Sequence, residues 1–429
     1  MKKTLVIILI PVLIAVAIFA AIGTVGDSNK VSVEAQTYMQ YAEEQIKLGG
    51  YGSAIDYIKA AIKTEPTSAR SYRLAQVYLM ADNSRSYIAT MEDIISAYPT
   101  EKAAYKELAD YYYKHFDLSN CIKVLLEANK AGVMDQDMVE QYHDAAYRPS
   151  VVSAPFLEAH VFYTNYALVK VEDLATYVDT GMHSCIGKFE NARPASSPIM
   201  AVFEEGSWFF VDASSLAYIR TEAPLEEAWS FASNLALVKR QDGYYFINTH
   251  GTDALGPYED ATCFYSGIAA VKKDGSWRLI NTSGAMIGES TFQRVLINED
   301  RFCSSGGVIF ADNGSGYDMY GADGKLIKAT GFEDADMFQS GNYAAAKKNG
   351  KWGFVNKAGE FVLEPQYANA RSFGHNLGAV CGENGLWGYV LSDGTLVIDY
   401  QYQDAKSFSK EGYAPVKIDT GWVYIHVLG

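Results

Sequence analysis

A repeat of thirty-five residues fills most of the chain after residue 150 and constrains its fold more than any other feature. The stretch Lys351-Trp-Gly-Phe-Val-Asn356 is followed by the turn Lys357-Ala-Gly359. One period later come Leu386-Trp-Gly-Tyr-Val390 and Ser392-Asp-Gly394, and after another period Gly421-Trp-Val-Tyr-Ile425. A strict period means that one supersecondary unit is copied and stacked. It therefore sets the architecture while leaving open what the object binds.

Extending the series backwards on the aromatic that opens the central strand gives Tyr177, Trp208, Tyr244, Trp277, Tyr317, Trp352, Trp387 and Trp422, at intervals of 31, 36, 33, 40, 35, 35 and 35. A short strand of small and branched residues precedes each, such as Ala236-Leu-Val238, Ala344-Ala-Ala346 or Ala414-Pro-Val416. A glycine turn usually follows, since glycine supplies the positive φ of a tight hairpin. A third strand and an aromatic-x-x-Ala turn close the unit: Tyr258–Ala261, Phe332–Ala335, Tyr367–Ala370 and Tyr402–Ala405. A phenylalanine three residues on (Phe264, Phe338, Phe373, Phe408) starts the next. These residues resemble the WG repeat family, named for its Trp-Gly dipeptide. Trp352-Gly353 and Trp387-Gly388 match fully, Trp208, Trp277 and Trp422 keep only the Trp, and Tyr177, Tyr244 and Tyr317 replace it. The resemblance covers residues 154–429 and implies a repetitive β domain without implying a reaction.

The ends of the array bear on its shape. Ala154-Pro-Phe-Leu-Glu-Ala159 looks like the closing strand of a unit whose opening strands are missing, and the last unit stops after two strands. One fragment can complete the other, which closes a ring and removes free sheet edges. Eight units then form a β-propeller, with the Ala/Val strands expected at its crowded axis. An open β-solenoid of stacked hairpins is the alternative.

Residues 31–148 follow helical periodicity instead. Tyr38, Tyr41, Ala42, Gln45 and Ile46 share one face, Gly49-Gly50 turns the chain, and Ala54, Tyr57, Ile58 and Ala61 make the returning face before Pro66. Leu74, Ala75 and Tyr78, then Met91, Ile94 and Ile95, repeat the pattern up to Pro99. Leu108, Ala109 and Tyr112, then Cys121, Leu125 and Ala128, carry it to Gly132, and a further helix spans Gln136 to Tyr147. Residues 35–132 resemble the tetratricopeptide repeat, with small residues where paired helices meet, although Tyr38 and Ser71 stand where that family has tryptophan. The resemblance implies a groove for a protein or peptide partner; a helical spacer is the plainer reading. Residues 149–153 read as a linker.

At the N-terminus, Thr4 to Gly26 carries no charge behind Lys2-Lys3. Those residues would span about 34 Å as a helix, enough to cross a bilayer. Residues 1–30 are expected as an uncleaved transmembrane anchor with a cytoplasmic N-terminus, placing the bulk outside the cytoplasm. A cleaved signal, with secretion, is the alternative. The chain holds 51 acidic against 36 basic residues, which argues against nucleic-acid binding. Cys121, Cys185, Cys263, Cys303 and Cys381 form no CxxC pair and are expected as small buried hydrophobes.

No catalytic, cofactor-binding or metal-ligating residue is assigned. The seven histidines are dispersed with no HExxH, and there is no GxSxG or phosphate loop. Ser407-Phe-Ser-Lys410 is a chance S-x-x-K, and Asp312–Asp318 is a polar turn rather than a calcium loop. The Glu259-Asp260 and Glu333-Asp334 pairs read as solvated turn residues. The expected function is therefore a non-catalytic binding scaffold that engages a protein partner. Two rivals are a module binding cell-wall glycan through exposed aromatics, and a propeller-type glycan hydrolase. The hydrolase would need two carboxylates converging near the ring axis, and a close, partly buried Asp/Glu pair in a cleft would sink the scaffold reading. Specificity is expected in the irregular parts: Met182–Lys188, Asn298–Gly316 and the helical groove.

Overall fold

The computed structural model describes residues 27–163 and 165–429. The expected membrane segment, residues 4–26, lies outside them. Among the described residues no helix is long and apolar enough to cross a membrane. The chain divides into two compact units at Ala145–Ala146.

The first unit contains helices α1 (Asp27–Lys47), α2 (Tyr51–Thr64), α3 (Ser68–Met80), α4 (Ser84–Ala97), α5 (Lys102–Lys114) and α6 (Leu118–Lys130) and all but the last two residues of α7 (Gln136–Tyr147). They form consecutive hairpins that fit the tetratricopeptide description. The turns fall where expected, at Gly49-Gly50, Ala81–Asn83 and Phe116-Asp117. Side chains that favour helix starts cap them: Thr67 accepts from Arg70 N, Asn83 from Ser86 N and Asp117 from Asn120 N. The alanines expected between paired helices, Ala42, Ala54, Ala61, Ala75, Ala109 and Ala128, are all buried.

The second unit is an eight-bladed β-propeller built from eight antiparallel sheets. In blade 6 the order is β22 (Asp334–Ala335), β23 (Ala344–Lys348), β24 (Lys351–Val355), β25 (Phe361–Tyr367). The same meander recurs around the ring; blade 4 has a broken outer strand and blade 5 an extra short one, β18 (Ser304–Ser305). The sequence unit and the blade are out of phase. Tyr367 ends the outer strand of blade 6, while Asn369-Ala370 already opens the inner strand of blade 7, β26 (Asn369–Gly374). The strand nearest the axis is this short x-Ala element. The Ala/Val strand expected there is the second of each sheet.

Ring closure uses the N-terminal segment. In blade 8, β30 (Asp404–Ala405), β31 (Tyr413–Ile418) and β32 (Gly421–His426) are completed by β1 (Ser150–Val151). Ser150 pairs with His426, Val151 with Ile425, and Phe156 forms a bridge with Trp422. The closing strand thus begins within the stretch expected as a linker. Closure gives the last blade its fourth strand, leaves only the short inner and outer edges of each blade, and excludes the open solenoid.

The register also corrects one assignment. Trp352 stands opposite Tyr367, Trp387 opposite Tyr402, and in blade 1 Ala175 stands opposite Phe189. Ala175, not Tyr177, therefore holds the Trp position. Tyr177 is the equivalent of Tyr389 and Tyr424, two residues further on. All three hydroxyls reach into the next blade, donating to the carbonyls of Arg193, Lys406 and His160. Composition hid the shift because an aromatic occurs near the right spacing either way.

The Trp-Gly dipeptide has a steric cause. The outer strand bulges between Leu363 and Tyr367 while the central strand advances only from Phe354 to Trp352. A Cβ on Gly353 would lie 2.5 Å from the Leu363 carbonyl oxygen, and one on Gly388 2.5 Å from that of Ile398. The following aromatic packs against the next blade's phenylalanine: Phe354 on Phe373 and Tyr389 on Phe408, each at 4.7 Å between centroids.

Candidate functional site

The residue after the alanine of the inner strand lines the central cavities in six blades: His160, Arg193, Trp229, Asp336, Arg371 and Lys406; Thr262 and Leu296, at the same position in blades 4 and 5, do not. Within the long fifth unit, the segment Asn298–Arg301 joins them. Lys406 Nζ donates to Glu299 Oε1 at 2.8 Å, across 107 residues of sequence. Arg301 pairs with Asp260 and donates to the Ala261 carbonyl at 2.9 Å. The Cys263 N–H donates to the Arg301 carbonyl at 2.7 Å. Blade 5 thus sends a tongue onto blades 4 and 8.

Most charges there are committed. Arg193 pairs with Glu227 at 3.0 Å and Arg371 with Asp404 at 3.0 Å. The indole of Trp229 lies under two guanidiniums, those of Arg193 and Arg301, each 5.0 Å from its ring centre. Asp336 accepts from Ser372 N at 2.8 Å. Two polar atoms stay unsatisfied: Oδ1 of Asp300 and Nδ1 of His160 are shut from water with no hydrogen-bond partner. Such atoms are costly unless something meets them.

Three cavities of about 310, 430 and 410 Å³ adjoin this tongue, and Asp300 lines all three. The first holds His160, Arg193, Trp229 and Glu299; the second mixes aromatic side chains such as Tyr265 and Phe302 with polar ones such as Asn298 and Gln339; the third holds Asp336, Arg371 and Lys406. Burial, reinforced by the neighbouring Glu299, raises the Asp300 carboxyl to about 6. Burial likewise lowers the His160 imidazole to about 4, with Lys406 adding to the effect. Glu299 moves the opposite way from Asp300: burial pushes it up, but the Lys406 ammonium more than offsets this and holds it low. Its carboxylate is surrounded by the blades yet more than half exposed, because the surface it shows is cavity surface.

The residues weighed on sequence are placed as follows. Glu259 and Glu333 accept from the turn amides of Gly275 and Gly350, so they fasten hairpins, and Asp260 is held by Arg301 rather than solvated. Asp312 is buried, accepting from Gly314, Ser315 and Gly316 amides and from Arg294. Ser407 Oγ donates to the Ser372 carbonyl at 2.6 Å. Among the described residues no three His, Cys, Asp or Glu side chains gather as a metal site. All five cysteines are free; four are buried as expected, but Cys185 is exposed. It lies with Ser184–Lys188 on the outer strand β5 (Ser184–Phe189), away from the ring centre, and Met182 and His183 form the turn before it. Trp387 is buried, while Trp352 and Trp422 are half-buried. In the helical unit, a cavity of about 250 Å³ is lined by Glu92, Leu108, Tyr112, Lys123, Val124 and other residues of α4, α5 and α6.

The sequence comparison adds one fact about the propeller. Residues 258–277, 320–352, 352–387 and 387–422 match the profile described as "WG containing repeat". These stretches are similar to WG repeats. Among curated proteins no sequence relative matches. Solved structures with a similar course include BamB from Moraxella catarrhalis, at 11% identity over 65% of this chain and 99% of that one, with a TM-score of 0.43. Hsv2p of Kluyveromyces lactis is 9% identical over 64% of this chain and 97% of that one, with a TM-score of 0.37. The first TPR of Spaghetti (RPAP3), bound to an HSP90 peptide, is 13% identical over 27% of this chain and 94% of that one, with a TM-score of 0.22.

Proposed function

We propose that this protein is a non-catalytic binding scaffold, anchored in a membrane by residues 4–26 with its two repeat units outside the cytoplasm. One observation carries the non-catalytic reading. Most charged groups of the ring centre, Asp300 and Asp336 apart, are tied in blade-locking pairs: Lys406–Glu299, Arg193–Glu227, Arg301–Asp260 and Arg371–Asp404. Such pairs fix geometry, whereas catalysis needs groups left free to move protons. The helical hairpins are the part assigned to a protein partner, because stacked hairpins present a continuous side-chain surface.

The test is crosslinked affinity capture from native membranes, comparing the wild type with the exposed-residue variants Glu92→Lys and Lys123→Glu. The scaffold reading expects a partner that the wild type captures and both variants lose. Identical capture by all three proteins would remove the helical unit from the partner interface. Fractionation of the chain with and without residues 1–26 tests the anchor.

A second reading rests on the divergence of two adjacent carboxyls, since Glu299 is held low and Asp300 is raised to about 6. Such a split suits an acid and a carboxylate in glycan hydrolysis. It stands second because the Glu299 oxygen is already engaged by Lys406. Release of reducing ends from a cell-wall polymer, abolished in Asp300→Asn, would reverse the order.

A further inference from the structure

We propose that the aromatic cavity at the ring centre binds an alkylammonium group, with Asp300 as its counter-charge. The cavity, about 430 Å³, is walled in part by Phe162, Tyr163, Tyr265, Phe302, Phe338 and Phe408, with uncharged polar residues such as Asn298, Ser304 and Gln339 between them. Its charged groups are Asp300 within and Lys410 and Glu411, both exposed, at the rim. An aromatic wall with one carboxylate is the chemistry that recognises organic cations, through ring quadrupoles and a single ion pair.

Charge accounting points the same way. The cations of the ring centre already have partners: Lys406 has Glu299, Arg193 has Glu227, Arg301 has Asp260 and Arg371 has Asp404. Two carboxylates are left without an ion pair: Asp336, which the Ser372 amide meets, and Asp300, whose Oδ1 has no hydrogen-bond partner. A buried carboxylate without a cation is unfavourable, and a positively charged guest removes that cost. A metal ion is a poorer match, because no three ligating side chains gather among the described residues. An anionic guest would meet Asp300 and, at the rim, Glu411, with Lys410 as the one lining cation.

The inference goes beyond the scaffold reading and is independent of it, because it is measured on the purified full chain without a partner. Butylammonium is titrated by calorimetry, with butanol and butyrate as equal-length controls. Saturable binding of the amine alone is expected, weakened at least about tenfold in Asp300→Asn by loss of the ion pair. Tyr265→Ala, which thins the wall at a half-buried position, should weaken it several-fold. Circular dichroism melts establish that both variants remain folded. Nα-acetyl-lysine amide distinguishes the source of the cation: tighter binding than butylammonium assigns the cavity to a lysine side chain of a polypeptide, weaker binding to a free amine. Equal binding of butanol, equal binding by folded Asp300→Asn, or no binding up to millimolar amine would overturn the proposal.

Discussion

The Tyr424 hydroxyl donates a 2.6 Å hydrogen bond to the carbonyl of His160, joining the last blade to the first across 264 residues of sequence. Tyr177 to Arg193 and Tyr389 to Lys406 make the same contact elsewhere in the ring. In each case the acceptor belongs to the residue that the inner strand aims at the ring centre. The phenols therefore hold the wall of the central site from behind.

Tyr424→Phe keeps the ring and removes the donor, leaving a buried carbonyl unmet. The expected loss is about 1–2 kcal/mol. For a domain of this size that lowers the melting temperature by roughly 2–8 °C, given about 2–4 °C per kcal/mol. A calorimetric scan reads it. An unchanged melt would mean that the phenol's packing against Phe156 and Phe162, rather than its hydroxyl, does the joining.

Gly353→Ala should destabilise the propeller by about 1–3 kcal/mol, because the new methyl group meets backbone that cannot turn aside. Gly350→Ala is the comparison: no atom lies within 4 Å of its Cβ position, so only its positive φ of 78° is at stake. Urea unfolding of both separates crowding from backbone strain. The prediction is wrong if Gly353→Ala loses less than Gly350→Ala.

The raised Asp300 carboxyl sets a pH dependence with a defined sign. Its folded value of about 6 exceeds the ordinary 3.8, so the native state holds its proton longer than the unfolded chain. Its contribution is most favourable below pH 4 and declines as pH rises through 6. At pH 7.5, Asp300→Asn should therefore gain up to about 3 kcal/mol, at 1.36 kcal/mol per pH unit of separation. At pH 4 the gain should vanish. His160 acts in the opposite direction: its folded value of about 4 lies below the usual 6.5, so its contribution is lost as pH falls from 6.5 towards 4. Melts of His160→Gln across that range check this arm, and a variant as acid-sensitive as the wild type would exclude it.

Asp117→Ala removes the side-chain acceptor for Asn120 N at the start of α6. Loss of such a cap costs about 1 kcal/mol. Because the helices and the propeller are separate compact units, the shift should appear in helical far-ultraviolet signal and leave tryptophan fluorescence unmoved. All six tryptophans lie beyond residue 200, so a shift in that fluorescence would show that the units unfold together.

The architecture was readable because its causes are local and repeated. Glycine turns such as Asn356–Gly359, alanines between helices and cap residues each act within a few positions, and a period multiplies them. Blade 1 was misaligned because Ala175 carries no signal of its own. Only the pairing with Phe189 identifies it. The inner strand was misplaced because two-residue strands such as Asp334–Ala335 have no detectable periodicity. The central site was least legible. Asn298–Gly316 stood out as irregular, but Glu299 meets Lys406 only after the ring has closed. No spacing rule joins residues 107 apart.

Closure by β1 also sets an order of events during synthesis. Ser150 must wait for His426, 276 residues later. At a synthesis rate of about 5–20 residues per second, that is a delay of roughly 15–55 s. Over that interval the emerging blades form an open arc with an unsatisfied edge at each end, where strands of other nascent chains can add. The interval is the same whatever the finished ring binds.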